Sequence, residues 1–157
     1  MRADFEEARV RPMTAADLER VREIASSLKD APQWGAGAYR AALDLEVAPR
    51  RIALVAEFPG SGILGFLMAS LVPPEAELET IAVVVEGQRR GVARRLFAGM
   101  AAELKAAGVM AVHLEVRASN EAALGFYHAQ GFMEAGRRPR YYAGPEEDAI
   151  LLKKGLG

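Results

Sequence analysis

Ile81-Ala82-Val83-Val84-Val85 is an apolar, mostly β-branched run, and Gln88-Arg89-Arg90-Gly91-Val92-Ala93-Arg94-Arg95 follows it after Glu86-Gly87. Beyond that point Val92, Leu96, Met100 and Leu104 recur at the spacing of one helical face. The stretch reads as strand, tight glycine-containing loop, helix. The first turn of a helix carries unpaired N–H groups and a partial positive charge, which attract anions. Gly91 removes the Cβ that would keep a ligand off the backbone. Arg94 and Arg95 place cations where the helix dipole favours Asp or Glu. A phosphorylated ligand would restore the balance; an arginine-rich turn on a solvated helix is the plainer reading. The loop is neither G-x-x-x-x-G-K-[ST] nor G-x-G-x-x-G, which excludes the Walker and Rossmann phosphate loops.

Upstream, Phe5 to Val10 reads as a weak first strand. Thr14 and Asp17 resemble a capping box ahead of a helix with Leu18, Val21, Ile24, Ala25 and Leu28 on one face. A loop from Lys29 to Gly37 contains Trp34, and a short helix of about Ala38 to Glu46 follows. Arg51 to Glu57 and Ile63 to Val72 form a hairpin around Pro59-Gly60-Ser61-Gly62, and Glu77 to Val85 is the fourth strand. Downstream, Met110 to Val116 is a fifth strand with His113, Glu115 and Arg117 on one face. Ser119 is the expected N-cap of a helix from Asn120 to about Gln130. Strands from Phe132 to Arg138 and from Asp148 to Lys153 close the chain, with Arg140 to Glu147 as a loop. The order β-α-α-β-β-β-α-β-α-β-β implies an α/β (α+β) fold with a mixed, mostly antiparallel sheet and strands four and five parallel.

The length, 157 residues, suits one domain with a substantial core. A formal net charge of −1 provides no global basic field for nucleic acid. With no cysteine there are no disulfides, thiolate metal sites or cysteine acyl-enzyme. His113 and His128 lie apart in sequence, so no metal site is expected. No apolar run reaches membrane-spanning length and no signal-peptide core is present, so a cytoplasmic protein is expected.

Gln88 to Ala93 resembles [Q/R]-x-x-G-x-[G/A], the acetyl-coenzyme A pyrophosphate loop of the GCN5-related N-acetyltransferases (GNAT). Leu114-Glu115-Val116-Arg117-Ala118-Ser119-Asn120 and Phe126-Tyr127-His128-Ala129-Gln130-Gly131-Phe132 resemble the second half of that family, and within it the RimI-type ribosomal-protein alanine acetyltransferases. The resemblance is close from about Glu75 to Leu152 and is one of layout before that. It implies one GNAT domain over residues 1–157, with strands four and five splayed apart to admit the pantetheine arm of acetyl-coenzyme A. It also implies cofactor binding by Val83, Val85, Arg89, Arg90, Gly91, Val92, Ala93, Arg94, Asn120 and Tyr127. Three features depart from the family pattern: Val84-Val85-Glu86-Gly87 where relatives often carry Val-Asp-Pro, Ala93 as the last loop residue, and Glu79 at a position often apolar.

Acetyl transfer needs an unprotonated amine and a protonated leaving thiolate. Glu115 and Tyr127 are the candidates, and the resemblance implies base and acid respectively. Taken on spacing alone, Glu115 could equally pair with Arg117 or another cation, and Tyr127 could simply pack its ring. His113 shares the face of Glu115, as a second base, part of the acceptor wall or an electrostatic neighbour. Arg137-Arg138-Pro139-Arg140-Tyr141-Tyr142 mixes cations and aromatics; as a nucleic-acid site it is too short and too little supported by net charge. The resemblance makes Tyr141 and Tyr142 a clamp on an acceptor peptide. Glu77 and Trp34 complete the expected acceptor site, with Tyr39 beside Trp34; Trp34 as a loop anchor is the competing reading.

The expected activity is acetyl transfer to the N-terminal amine of a protein, a ribosomal protein being one candidate. The alternatives are a lysine or small-amine acceptor and a non-catalytic acyl-coenzyme A-binding module. No nucleic-acid or membrane partner is expected, and the assembly should be a monomer or weak homodimer.

Overall fold

The computed structural model describes residues 8–28, 34–88 and 90–157. Seven strands form one sheet in the order β1-β2-β3-β4-β5-β7-β6. They are β1 (Arg9–Pro12), β2 (Arg51–Phe58), β3 (Gly62–Val72), β4 (Glu75–Val83), β5 (Ala111–Arg117), β6 (Met133–Tyr142) and β7 (Glu147–Gly155). The helices are α1 (Leu18–Ser26), α2 (Ala36–Leu43), α3 (Val92–Ala106) and α4 (Glu121–Ala129). All pairings are antiparallel except β4 with β5. The expected element order and the single parallel pair are both present. The first seven residues, which include half of the expected first strand, and residues 29–33 of the Trp34 loop lie outside the described part. Among the described residues no helix is long and apolar enough to cross a membrane.

Alternation settles which side of each strand enters the core. Along β4 the residues Ala76, Leu78, Thr80 and Ala82 are buried, while Glu75, Glu77, Glu79, Ile81 and Val83 are half-buried on the other face. β5 repeats this, with Val112, Leu114 and Val116 buried and His113, Glu115 and Arg117 opposite. Val92, Leu96, Met100 and Leu104 form the stripe by which α3 packs on the sheet, each no more than 1% exposed. Burying a side chain of this size contributes about 1.5–3 kcal/mol. Gly65 of β3 lets α3 sit close, since a Cβ there would meet Val92 Cγ1 and Ala82 O at 3.0 Å.

The parallel ladder between β4 and β5 is short. Glu75, Ala76 and Glu77 pair with Ala111, Val112 and His113, and no pairing follows. The strands continue to Val83 and Arg117 without hydrogen-bonding each other, so the sheet opens there. A bulge assists: Met68 pairs with Thr80 and Ala69 with Leu78, leaving Glu79 as the extra residue of β4.

Several boundaries differ from the sequence expectation. β4 ends at Val83 rather than Val85, because Val85–Gly87 forms a 3₁₀ turn. α2 starts two residues early and stops at Leu43. Asn120, not Ser119, caps α4: its side chain accepts from the Ala123 N–H at 3.2 Å, while the Ser119 N–H donates to Glu147 at 2.8 Å. β6 runs on through a bulge to Tyr142, so Tyr141 and Tyr142 stand at a strand end rather than within a loop.

Candidate active site

An open groove of about 720 Å³ fills the gap between β4 and β5. Its β4 side carries Glu77, Glu79, Ile81 and Val83. Its other side carries Glu115 and Arg117 from β5, Asn120, Ala123 and Tyr127 from α4, and Tyr141 and Tyr142 from the end of β6. On α4 the spacing 120, 123, 127 puts all three side chains on one helical face.

At one end of the groove the chain turns from β4 into α3. Gly91 is the N-cap of α3 at φ 79°, in the left-handed region that favours glycine. The first intrahelical bond from this cap runs from the Arg95 N–H to the Gly91 carbonyl at 3.0 Å. The N–H groups of Val92, Ala93 and Arg94 therefore have no partner within the helix. The first turn holds no acid. A Cβ on Gly91 would meet Arg94 Nη2 at 3.7 Å, so a guanidinium flanks the exposed backbone. Bare N–H groups, a helix dipole and an adjacent cation suit a pyrophosphate. Gln88 braces the loop by donating from Nε2 to the Val83 carbonyl at 3.0 Å, and it lines the groove.

The other expected loop contacts divide. Val83 lines the groove, whereas Val85 is exposed and borders a second cavity with Arg90. Arg90 donates to the Glu86 carbonyl at 3.1 Å and lies over the Phe58 ring at 4.5 Å. Arg89 lies outside the described residues. Asn120 uses its carbonyl oxygen as the cap and still lines the groove.

Deeper in, Tyr127 is 8% exposed and enclosed by Phe126 and Phe132, with ring centroids at 5.2 and 5.5 Å. Burial alone pushes its phenol up to about 12, because the phenolate would lose its water. The group therefore stays protonated at neutral pH. On the same side of the groove Glu115 meets a cation that sequence reasoning did not single out. Arg138 Nε stands 2.8 Å from Glu115 Oε2. That oxygen is sealed from solvent and accepts no well-aligned hydrogen bond, so the contact is an ion pair without a directed N–H. Arg117, the partner named from sequence, pairs instead with Glu147 at 3.1 Å and covers the Tyr142 ring at 4.3 Å. Burial is the main cause that raises the Tyr142 phenol, and the Glu115 charge adds to it. Tyr141 and Tyr142 meet edge to face at 5.1 Å, and Arg138 lies 5.3 Å from the Tyr141 ring centre.

The remaining candidates fall further out. His113 faces Glu77 and Lys153 in the closed part of the sheet and is not part of the groove lining. His128 is exposed on α4. Tyr39 is 1% exposed and packs against Phe66, so it belongs to the core and not to a pocket wall. Trp34 packs on Tyr39 at 5.3 Å and lies 5.6 Å from the Arg51 guanidinium. Arg51 in turn holds Glu79 through bonds of 2.7 and 3.0 Å. This chain of contacts anchors Trp34 against the core and explains a charged residue at position 79: its carboxylate is neutralised from β2. Glu77, two residues earlier, has no ion-pair partner among the described residues.

Similarities to known proteins bear on this arrangement. Residues 18–132 match the model of the Acetyltransferase (GNAT) family. An N-alpha-acetyltransferase RimI of Mycobacterium tuberculosis is 34% identical over 162 aligned residues, covering 100% of this chain and 98% of that protein. An uncharacterised protein of Mycobacterium leprae is also 34% identical, over 97% of this chain; the chain spans only 42% of that protein's length. The crystal structure of the ribosomal-protein-S18-alanine N-acetyltransferase from Escherichia coli superposes with a TM-score of 0.83 at 29% identity, over 96% of this chain and 94% of that one. The chain belongs to the GNAT acetyltransferase family.

Proposed function

We propose that this GNAT protein transfers an acetyl group from acetyl-coenzyme A to a primary amine, and that the amine is the N-terminus of a protein beginning with a small residue such as alanine. The observation that carries the reading is the shared groove: Glu115 and Tyr127 both line the gap that opens beyond the Glu77–His113 pairing. The Mycobacterium tuberculosis relative is named an N-alpha-acetyltransferase and the Escherichia coli structure a ribosomal-protein-S18-alanine N-acetyltransferase, which supports the same acceptor class. A ribosomal protein is one candidate acceptor, and it would set the reaction in the cytoplasm.

Bound acetyl-coenzyme A supplies an activated thioester. The backbone N–H groups of Val92 to Arg94 would hold its pyrophosphate, with Arg94 alongside. Asn120 and Val83 would flank the pantetheine arm. Glu115 would take the proton from the attacking amine, directly or through one water, and a free α-amine needs only modest help because its pKa is about 7.7–8.0. Tyr127 would give its proton to the departing sulfur. A phenol raised to about 12 is fully protonated at neutral pH, so the proton is in place when the thiolate departs. Glu77, Tyr141 and Tyr142 are the proposed acceptor contacts, with the two phenols and the Glu77 carboxylate able to bond a peptide main chain.

Two matched peptides test the acceptor. One has a free alanine N-terminus and no lysine; the other has a blocked N-terminus and one internal lysine. Faster acetylation of the first is expected, and faster acetylation of the second overturns the N-terminal assignment.

A further inference from the structure

Glu115 Oε2 is sealed from solvent beneath Arg138, whose Nε approaches to 2.8 Å, while the Glu115 side chain as a whole lines the groove. Glu115 makes no other ion pair among the described residues, so Arg138 is what holds its carboxylate. The same guanidinium lies 5.3 Å from the centre of Tyr141, which packs on Tyr142. Arg138 itself is anchored where β6 changes register: Arg138 pairs with Ala149, and the next pairing is Tyr142 with Glu147. Within that bulge Arg140 takes φ 56°, and its N–H donates to Asp148 at 3.0 Å. The bulge turns the strand so that Arg138 faces Glu115 on β5 and the tyrosines follow it toward the groove.

We propose that Arg138 is a positioning residue for the acetyl transfer. It fixes one oxygen of Glu115, aims the other at the acceptor nitrogen, and ties that carboxylate to the Tyr141–Tyr142 end of the acceptor site. The proposal rests on the reading of Glu115 as the base. An Arg suits the task because a planar guanidinium can pair with a carboxylate at its edge while its face lies near an aromatic ring. The side chain is 57% exposed, so its loss removes little buried surface and the variant should fold.

The test compares wild type, Arg138→Ala, Arg138→Lys, Glu115→Gln and the Glu115→Gln/Arg138→Ala double variant. Turnover is measured on the alanine-starting peptide at saturating acetyl-coenzyme A, with coenzyme A affinity followed by calorimetry. Arg138→Ala should lower kcat about tenfold, the scale of one lost charge-assisted contact, with unchanged coenzyme affinity. Arg138→Lys, which keeps the charge but not the planar face, should recover part of the loss. In the Glu115→Gln background Arg138→Ala should change kcat less than about twofold, because residues acting as a unit are not additive. A full tenfold loss in that background, an effect confined to KM, or an Arg138→Lys protein as slow as Arg138→Ala overturns the proposal alone. Wild-type turnover by Glu115→Gln overturns the base assignment and this proposal with it.

Discussion

At the α3 end of the groove the chain offers backbone: Gly91 at φ 79° and the unbonded N–H groups that follow it. At the β5–β6 end it offers side chains: Glu115 under Arg138, Arg117 between Glu147 and Tyr142, and the Tyr141–Tyr142 pair. The first surface is generic, since any pyrophosphate accepts the same N–H groups. The second is particular, since each group depends on a partner from another strand. One end suits a constant donor and the other an acceptor that differs from enzyme to enzyme.

The comparison can be broken at either end. Gly91→Val forces a β-branched residue into a left-handed conformation beside Arg94 Nη2. Strain of about 1–3 kcal/mol follows, and coenzyme A affinity should fall at least tenfold in calorimetry while the fold survives; unchanged affinity would remove Gly91 from the donor site. A change outside the groove should leave both ends intact. Asp17, 9% exposed, accepts from both Arg11 Nη atoms at 2.9 and 3.0 Å and from the Thr14 N–H at 2.8 Å. Asp17→Asn should cost about 2 kcal/mol in denaturant unfolding, with turnover per folded molecule unchanged. The Arg11 bond holds the Asp17 carboxyl below its ordinary value. A depressed folded pKa stabilises above the ordinary carboxylate range and is lost as pH falls through the folded value, so the gap between wild type and variant should shrink on acidification. At the acceptor end, Tyr142→Ala should raise the peptide KM about threefold to tenfold, the scale of one half-buried aromatic contact, with little change in coenzyme affinity.

The same division governs what the sequence discloses. Gly91 and its helix are local, so strand, loop and helix could be read in one stretch of chain. The faces of β4 and β5 follow from alternation, which brought Glu77 and Glu115 to the groove side without a structure. Ion pairing is not local. Arg51 and Glu79 are 28 positions apart, and the charge at position 79 is intelligible only when β2 and β4 are seen through β3. Arg138 belonged to a visible cluster of cations and aromatics, but its contact with Glu115 depends on the β6 bulge, which has no simple sequence signature. Tyr39 shows the opposite failure: its place beside Trp34 looked like a pocket wall, and the pairing with Phe66 buries it.

Turnover of the Glu115→Gln/Tyr127→Phe protein on the alanine-starting peptide, with acetyl-coenzyme A saturating, tests most directly that the chemistry is done in this groove by these two groups. A positioned acid or base contributes a rate factor of about 10²–10⁴. The double variant should therefore lose at least the larger single-residue factor while binding coenzyme A as wild type does. Near-normal turnover by that folded, coenzyme-binding protein would contradict the assignment.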